Sequence, residues 1–227
     1  MKNMLKIFGI VVAAVMFLSV GPVHATPSIM ISDGATTLTI VDGGVGDFSP
    51  NAGEIIFSGS IGIFDTNIVT GVTMPKIGGA SFPIMDLSAL EVNSFGGNGT
   101  LSIMFSEVGF GPLGSGLNGF VTSVSNNTLL GSSAINFSTY YDASNTLFGQ
   151  ASQLANLSLA SSGTASASSF VLPSDPFSLT SVINISVSGM TNMFVSQKLV
   201  PAPEPGTLLM LGSGLVGVAM YARRKRK

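Results

Sequence analysis

Apolar and polar residues alternate through the interior of the chain. In Leu101-Ser102-Ile103-Met104-Phe105-Ser106, the residues Leu101, Ile103 and Phe105 would share one side of an extended segment. Ile183, Ile185 and Val187 alternate with Asn184, Ser186 and Ser188 in the same way. Successive side chains of a strand point to opposite faces, so this period predicts half-buried strands. The same reading places strands over 37–41, 54–64, 67–73, 87–94, 119–125, 134–141, 168–172 and 193–200. Asp42-Gly43-Gly44, Gly96-Gly97-Asn98-Gly99 and Gly111-Pro112-Leu113-Gly114 punctuate them with turn chemistry.

Only residues 150–159 suggest a helix. Leu154, Leu157 and Ala151 share a helical face there, but Ser and Asn interrupt it, so a single turn or an irregular loop fits equally. Residues 159–169 are rich in Ser and Ala and read as a flexible loop. With no sustained helix–strand alternation and no internal repeat, the pattern predicts an all-β domain. The expected form is an antiparallel β-sandwich, jelly-roll or Ig-like, spanning residues 26–200.

The two ends differ from this body. Lys2 and Lys6 precede an apolar stretch from Ile7 to Val20, and Val23-His24-Ala25 supplies small residues where a signal peptidase cuts. Residues 1–25 therefore read as a secretory signal peptide cleaved after Ala25. At the other end, Pro203-Glu204-Pro205 is followed by an uncharged stretch, 206–222, and then by Arg223, Arg224, Lys225, Arg226 and Lys227. As a single hydrophobic helix the uncharged stretch spans roughly 25 Å, close to a hydrocarbon core of about 30 Å. The cations behind it are expected to stay cytoplasmic while the body lies outside. Ser213 and Gly217 have the spacing of small residues that pack membrane helices. Gly212-Ser213-Gly214-Leu215-Val216-Gly217 spells a dinucleotide-binding pattern, but it lies within the terminal apolar segment, with a basic tail after it and no second strand, so that reading is rejected.

These three tail elements, in this order, resemble the PEP-CTERM sorting signal of Gram-negative bacteria. Pro203, Glu204 and Pro205 match its motif, Leu208 to Tyr221 its helix, and Arg223 to Lys227 its basic end. The segment from Pro176 that leads into the Pro-rich linker is similar to the final hairpin of many such cargo proteins. The resemblance implies recognition by exosortase, an integral-membrane cysteine peptidase, and delivery to the cell surface or an exopolysaccharide matrix of a biofilm. A permanent tail anchor, with Pro201 to Pro205 as a stiff linker, is the competing reading. Both make residues 206–222 a membrane segment, transient or permanent. The chain then divides into signal peptide 1–25, sandwich 26–200 and sorting signal 201–227.

Charge and missing residue types narrow the chemistry. The exported body holds ten carboxylates, two lysines and no arginine, a formal charge of −8. Nucleic acid is excluded as a partner, because phosphate binding needs a cationic surface. The one histidine, His24, leaves with the signal peptide, and the chain has no Cys or Trp. Catalysis by Ser-His-Asp or Cys-His groups and zinc sites of imidazole or thiolate are thereby unavailable, and no cofactor is implied. Without disulfides, stability rests on packing.

Four constellations remain. Asp42, Asp47, Asn51 and Glu54 offer oxygen ligands on a Gly-rich loop, a calcium candidate that lacks EF-hand spacing and that turn formation also explains. Glu91 and Glu107 are a conceivable glycosidase pair, each also explained as a solvent-facing strand position. Tyr140 and Tyr141 place one ring on each side of a strand, a sugar platform or a core tyrosine. Asn98, Asn126, Asn136, Asn156 and Asn184 begin N-x-[ST] sequons, a product of Ser/Thr/Asn-rich composition in a bacterial chain. The expectation is a non-enzymatic, exported surface or matrix protein with a structural or adhesive role. A carbohydrate-binding module with a sorting tail is the alternative, and a carboxylate-based glycoside hydrolase the third reading.

Overall fold

A computed structural model describes residues 26–171, 175–203 and 205–225. The strands are β1 (Ser28–Ser32), β2 (Thr37–Val41), β3 (Glu54–Ile61), β4 (Phe64–Val72), β5 (Met85–Phe110), β6 (Leu117–Asp142), β7 (Ser152–Leu159), β8 (Gly163–Phe170) and β9 (Phe177–Pro203). One helix, α1 (Pro205–Lys225), follows. Every strand pairing is antiparallel.

Strands β5, β6 and β9 are 26, 26 and 27 residues long, several times the usual length of about 5–6 residues. Each one folds over near its middle, so its halves lie in different layers. In one layer β2 pairs β1, and β1 pairs the second half of β5. The first half of β9 lies next, then the second half of β6, then β7. In the other layer β3 pairs β4, followed by the first half of β5, the second half of β9, the first half of β6 and β8. The result is an antiparallel β-sandwich with three strands running around one end.

That corner is set by register breaks between Phe95 and Asn98, and between Thr128, Leu130 and Ser132. Gly96, Gly97 and Gly189 have φ of +113°, +91° and +86°, a left-handed region that side chains disfavour. Gly131 combines φ of +83° with close packing, since a Cβ there would strike the Met190 carbonyl oxygen. The alternation predicts separate strands at 87–94 and 101–106 with a turn between them. The chain does turn at 96–97, but the ladder continues on both sides, making one folded strand. Segments 119–125 and 134–141 are likewise the halves of β6, and 183–187 and 193–200 lie in the two halves of β9.

Between the layers lies the core. Ile29, Ile31, Ile103, Phe105, Ile183 and Phe137 come from one side, and Val69, Leu87, Ala89, Val195, Leu199 and Phe120 from the other. The layers approach closely at Gly71, where a Cβ would stand 2.7 Å from the Phe105 ring. Phe177 packs against Phe110, Phe120 and Tyr141 at ring separations of 5.9, 6.4 and 5.3 Å. Some polar groups inside find partners across the layers: Thr122 and Thr139 hydroxyls lie 2.8 Å apart, and Gln197 Nε2 donates to the Ser138 carbonyl at 2.9 Å, while Gln197 Oε1 and Ser181 Oγ have no partner among the described residues. Buried polar groups need such bonds to offset desolvation.

Three local expectations are corrected. Residues 152–159 form strand β7 rather than a helix or loop, pairing with β6 and burying Leu154 and Ala155. Strand β8, residues 163–170, takes in most of the expected flexible loop 159–169 and starts well before the strand expected at 168–172. Ser and Asn oppose helix formation weakly, and ladder hydrogen bonds to β6 decide the outcome. The short strand β1 also escaped the alternation.

At the termini, the expected signal peptide 1–25 lies outside the described residues. The tail does form a helix, with Met210, Leu211, Leu215 and Val216 exposed around its circumference. No helix among the described residues is long and apolar enough to cross a membrane, so a span over 206–222 is not shown. Gly, Ser and Thr dilute its apolar character, and Arg223 to Lys225 occupy its last turn.

Candidate functional site

The tail junction is built directly on the sandwich. Strand β9 lies between β5 and β6 in both layers. It leaves at the end opposite the corner, where Pro201 pairs with Phe120, Ala202 with Gly119 and Pro203 with Leu117. Pro201 and Ala202 are buried and Pro203 is exposed. Proline lacks an N–H to donate, so the ladder ends where the motif begins. Helix α1 starts at Pro205, a position that proline's fixed φ favours. Arg223 and Arg224 are exposed in its final turn, where cations complement the helix dipole. Glu204, Arg226 and Lys227 lie outside the described residues.

The calcium candidate is not assembled. Asp47 Oδ1 accepts from the N–H groups of Ser49 and Ile56 at 2.8 and 3.0 Å, and its Oδ2 from that of Gly43 at 2.9 Å. Asp42 Oδ2 accepts from Gly53 N–H at 2.7 Å. Glu54 Oε2 accepts from Ser49 Oγ at 2.7 Å and Asn51 Nδ2 at 2.9 Å, while Oε1 pairs with Lys76. Lys76, then Asn51 and Ser49, hold the Glu54 carboxyl down to about 2. These oxygens hold the loop's own backbone in place. Among the described residues no group of three or more His, Cys, Asp or Glu could hold a metal ion.

The carboxylate pair is separated. Glu107 is fully buried in the second half of β5, with Oε2 accepting from Thr73 Oγ1 at 2.6 Å and Oε1 without a hydrogen-bond partner among the described residues. Burial, opposed by Thr73 and assisted by the charge of Asp42, pushes this carboxyl up to about 8. Glu91 stands in the first half of β5, at a register break with φ of +56°, and accepts from Asn67 Nδ2 in a solvent-exposed bond. One group faces the core and the other the exterior, so Glu107 is not the solvent-facing position that strand alternation suggested.

The tyrosines divide as alternation predicts. Tyr141 is buried against Phe177, and Tyr140 is half-buried, its hydroxyl accepting from Gln153 Nε2 at 3.3 Å. No paired sugar platform results. A feature that the alternation did not single out is a shallow groove of about 630 Å³ on the outer face of β8, β6 and β9, lined by Ser123, Ser125, Thr164, Ser166, Ser196 and Lys198 together with Val124 and Ala165. Cross-strand register builds it, bringing Ser166, Ser123 and Lys198 into one row and Ser125 and Ser196 into the next. The alternating hydroxyls signal it in sequence only once the strand neighbours are known.

Residues 201–227 match the family description of the PEP-CTERM protein-sorting motif. The chain therefore carries a PEP-CTERM sorting tail, which implies export to the cell envelope or surface and processing by exosortase. No curated protein matches the sequence. Among solved structures, TmCBM61 in complex with β-1,4-galactotriose is 7% identical, with a TM-score of 0.35 over 70% of this chain and 92% of that one. A C-terminal family 22 carbohydrate binding module of Clostridium thermocellum Xyn10B is 13% identical, with a TM-score of 0.30 over 65% and 90%. The K1 cleaved adhesin domain of Lys-gingipain from Porphyromonas gingivalis W83 is 12% identical, with a TM-score of 0.29 over 66% and 98%. Likeness at this level says nothing about what this chain binds.

Proposed function

We propose that this chain, carrying a PEP-CTERM tail, is a non-enzymatic structural or adhesive component of the cell surface or extracellular matrix. In this reading a signal peptidase first removes residues 1–25. Residues 206–222 then hold the chain in the membrane until exosortase acts at Pro203-Glu204-Pro205. The supporting observation is the junction: the motif begins where the ladder of β9 ends, so removal of the tail leaves every strand of the sandwich intact. The separation of Glu91 from Glu107 favours a non-catalytic body over a hydrolase.

Mass spectrometry of the native protein tests it. The mature chain is expected to start near Thr26 and end near the Pro-Glu-Pro motif, with precursor accumulating in membranes when Pro203 to Pro205 become alanine. An intact Arg223 to Lys227 end would replace processing with a permanent anchor. A second reading, a carbohydrate-binding module, draws on the hydroxyl-lined groove. Glycan-array binding that disappears with Lys198→Ala and Ser125→Val would establish it, and an array without signal would remove it.

A further inference from the structure

Exposed large apolar side chains gather at the end of the sandwich from which the tail departs. Val45 is 100% exposed and Phe48 67% in the loop between β2 and β3, and Phe82 is 48% exposed between β4 and β5. Leu147 is 38% exposed between β6 and β7, and Phe170, closing β8, is 61% exposed. All five lie at strand ends opposite the corner, in loops or at a strand terminus beside the exit of β9. They belong to separate connections across the width of both layers, so together they form a rim rather than a chance neighbour pair. A second exposed set, Phe95, Leu130 and Met190, lies at the corner, so exposure alone does not single out the rim; its place beside the exit of β9 does.

The loop between β2 and β3 has its polarity turned inward. Asp42 and Asp47 spend oxygens on the N–H groups of Gly53, Gly43, Ser49 and Ile56, and Glu54 on Ser49, Asn51 and Lys76. Val45, flanked by Gly44 and Gly46, and Phe48 are left facing out.

What faces this rim follows from where the chain goes next. The ladder of β9 ends at Pro203 and α1 begins at Pro205, with a single residue between them. A helix lodged in a bilayer would thus hold this end of the body at the lipid surface. We infer that the rim of Val45, Phe48, Phe82, Leu147 and Phe170 seats the body end-on in the headgroup and acyl boundary of the membrane while the tail is attached. Aromatic and aliphatic tips favour that depth. Asp42, Asp47, Glu54, Asp142 and Asp175 at the same end outnumber Lys76, so the lipid is zwitterionic rather than anionic. This inference rests on the reading of α1 as a membrane-lodged tail. Once the tail is cut, the rim alone holds the body weakly, and the body leaves.

The chain has no tryptophan, so single replacements give isolated fluorescent reporters at exposed positions. Residues 26–227 are reconstituted with phosphatidylcholine vesicles, with and without brominated acyl chains, in four variants: Phe48→Trp, Phe82→Trp, Phe95→Trp and Leu215→Trp. Phe95 is exposed at the corner, roughly 40 Å from the rim for about 12 residues of strand. Circular dichroism confirms that each variant keeps its β structure. The expected result is loss of emission to bromine for Phe48→Trp, Phe82→Trp and Leu215→Trp, none for Phe95→Trp, and weaker quenching at 48 and 82 in phosphatidylglycerol vesicles. Quenching at 215 without quenching at 48 and 82 overturns the rim while leaving the tail reading standing. Absence of quenching at 215 defeats the tail reading and the rim with it. Equal quenching at 95 also overturns the inference, because the body would then have no preferred end.

Discussion

Replacing Glu107 by Gln should remove most of the pH dependence of stability between pH 5 and 8. The folded state holds this fully buried carboxyl at about 8, whereas an unfolded chain ionises it near 4.3. Between those values the folded state keeps a proton that the unfolded state has lost. Stability is therefore fully present below about 4.5 and declines as pH rises toward 8. Taking about 1.4 kcal/mol per pH unit over roughly 3.5 units, the decline approaches 5 kcal/mol, comparable to the whole stability of many domains. With a urea m-value of about 2 kcal/mol per molar, the midpoint of residues 26–203 should fall by roughly 2 M across this window. The exported body has no histidine or cysteine to produce such a slope. Asp86, also raised by burial, is common to both proteins, so the difference between them isolates Glu107. In the variant the amide oxygen can still accept from Thr73 Oγ1, and the midpoint should be nearly level and higher at pH 8. A wild-type midpoint that is flat from pH 5 to 8, or an equal slope in Glu107→Gln, refutes the reasoning.

Lys76→Met should cost about 1 kcal/mol, the scale of a partly exposed ion pair. Because Lys76 is the main cause of the lowered Glu54 carboxyl, stability present above about pH 4.5 should vanish less steeply toward pH 2 in the variant, as read by acid unfolding. Gly131→Ala should destabilise by about 2 kcal/mol in urea, from its positive φ and the collision with the Met190 carbonyl; an unchanged midpoint would mean that the β6 corner is soft. A chain ending at residue 203 should keep its thermal transition, whereas one ending at residue 176 should show none by calorimetry, because it lacks β9.

How much of this was legible depended on which side of each strand is buried. Leu101, Ile103 and Phe105, or Ile183, Ile185 and Val187, declare their strands because the core selects every second residue. The edge strands β7 and β8 carry Ser, Ala and Asn, bury few side chains and so have almost no period to read. The corners were legible as chemistry and misleading as topology: Gly96 and Gly97 do turn the chain, but nothing local states that hydrogen bonding resumes with the same partner. A carboxylate's direction was likewise hidden. Asp47 turns into its loop toward Gly43, Ser49 and Ile56 nearby in sequence, whereas Glu107 turns into the core and Glu91 outward beside neighbours distant in sequence, Thr73 and Asn67. The tail was the most legible part because its message is linear and needs no fold to decode.

The position of β9 links that linear message to the folded body. It is the last strand before the motif, yet it fills the centre of both layers and pairs with β5 and β6 along almost its whole length. Without it, the first and second halves of both neighbours expose unpaired ladder groups along inner edges, the arrangement most prone to wrong pairing. Under the proposed export from the N-terminus, residues 26–176 would be presented in that condition. The sandwich closes only when β9 emerges, and its final residue, Pro203, is the first residue of the Pro-Glu-Pro motif. Completion of the core and exposure of the sorting motif thus occur at the same point along the chain. A peptidase acting there meets a body whose strands are already paired, and its cut removes α1 without drawing on a single ladder hydrogen bond.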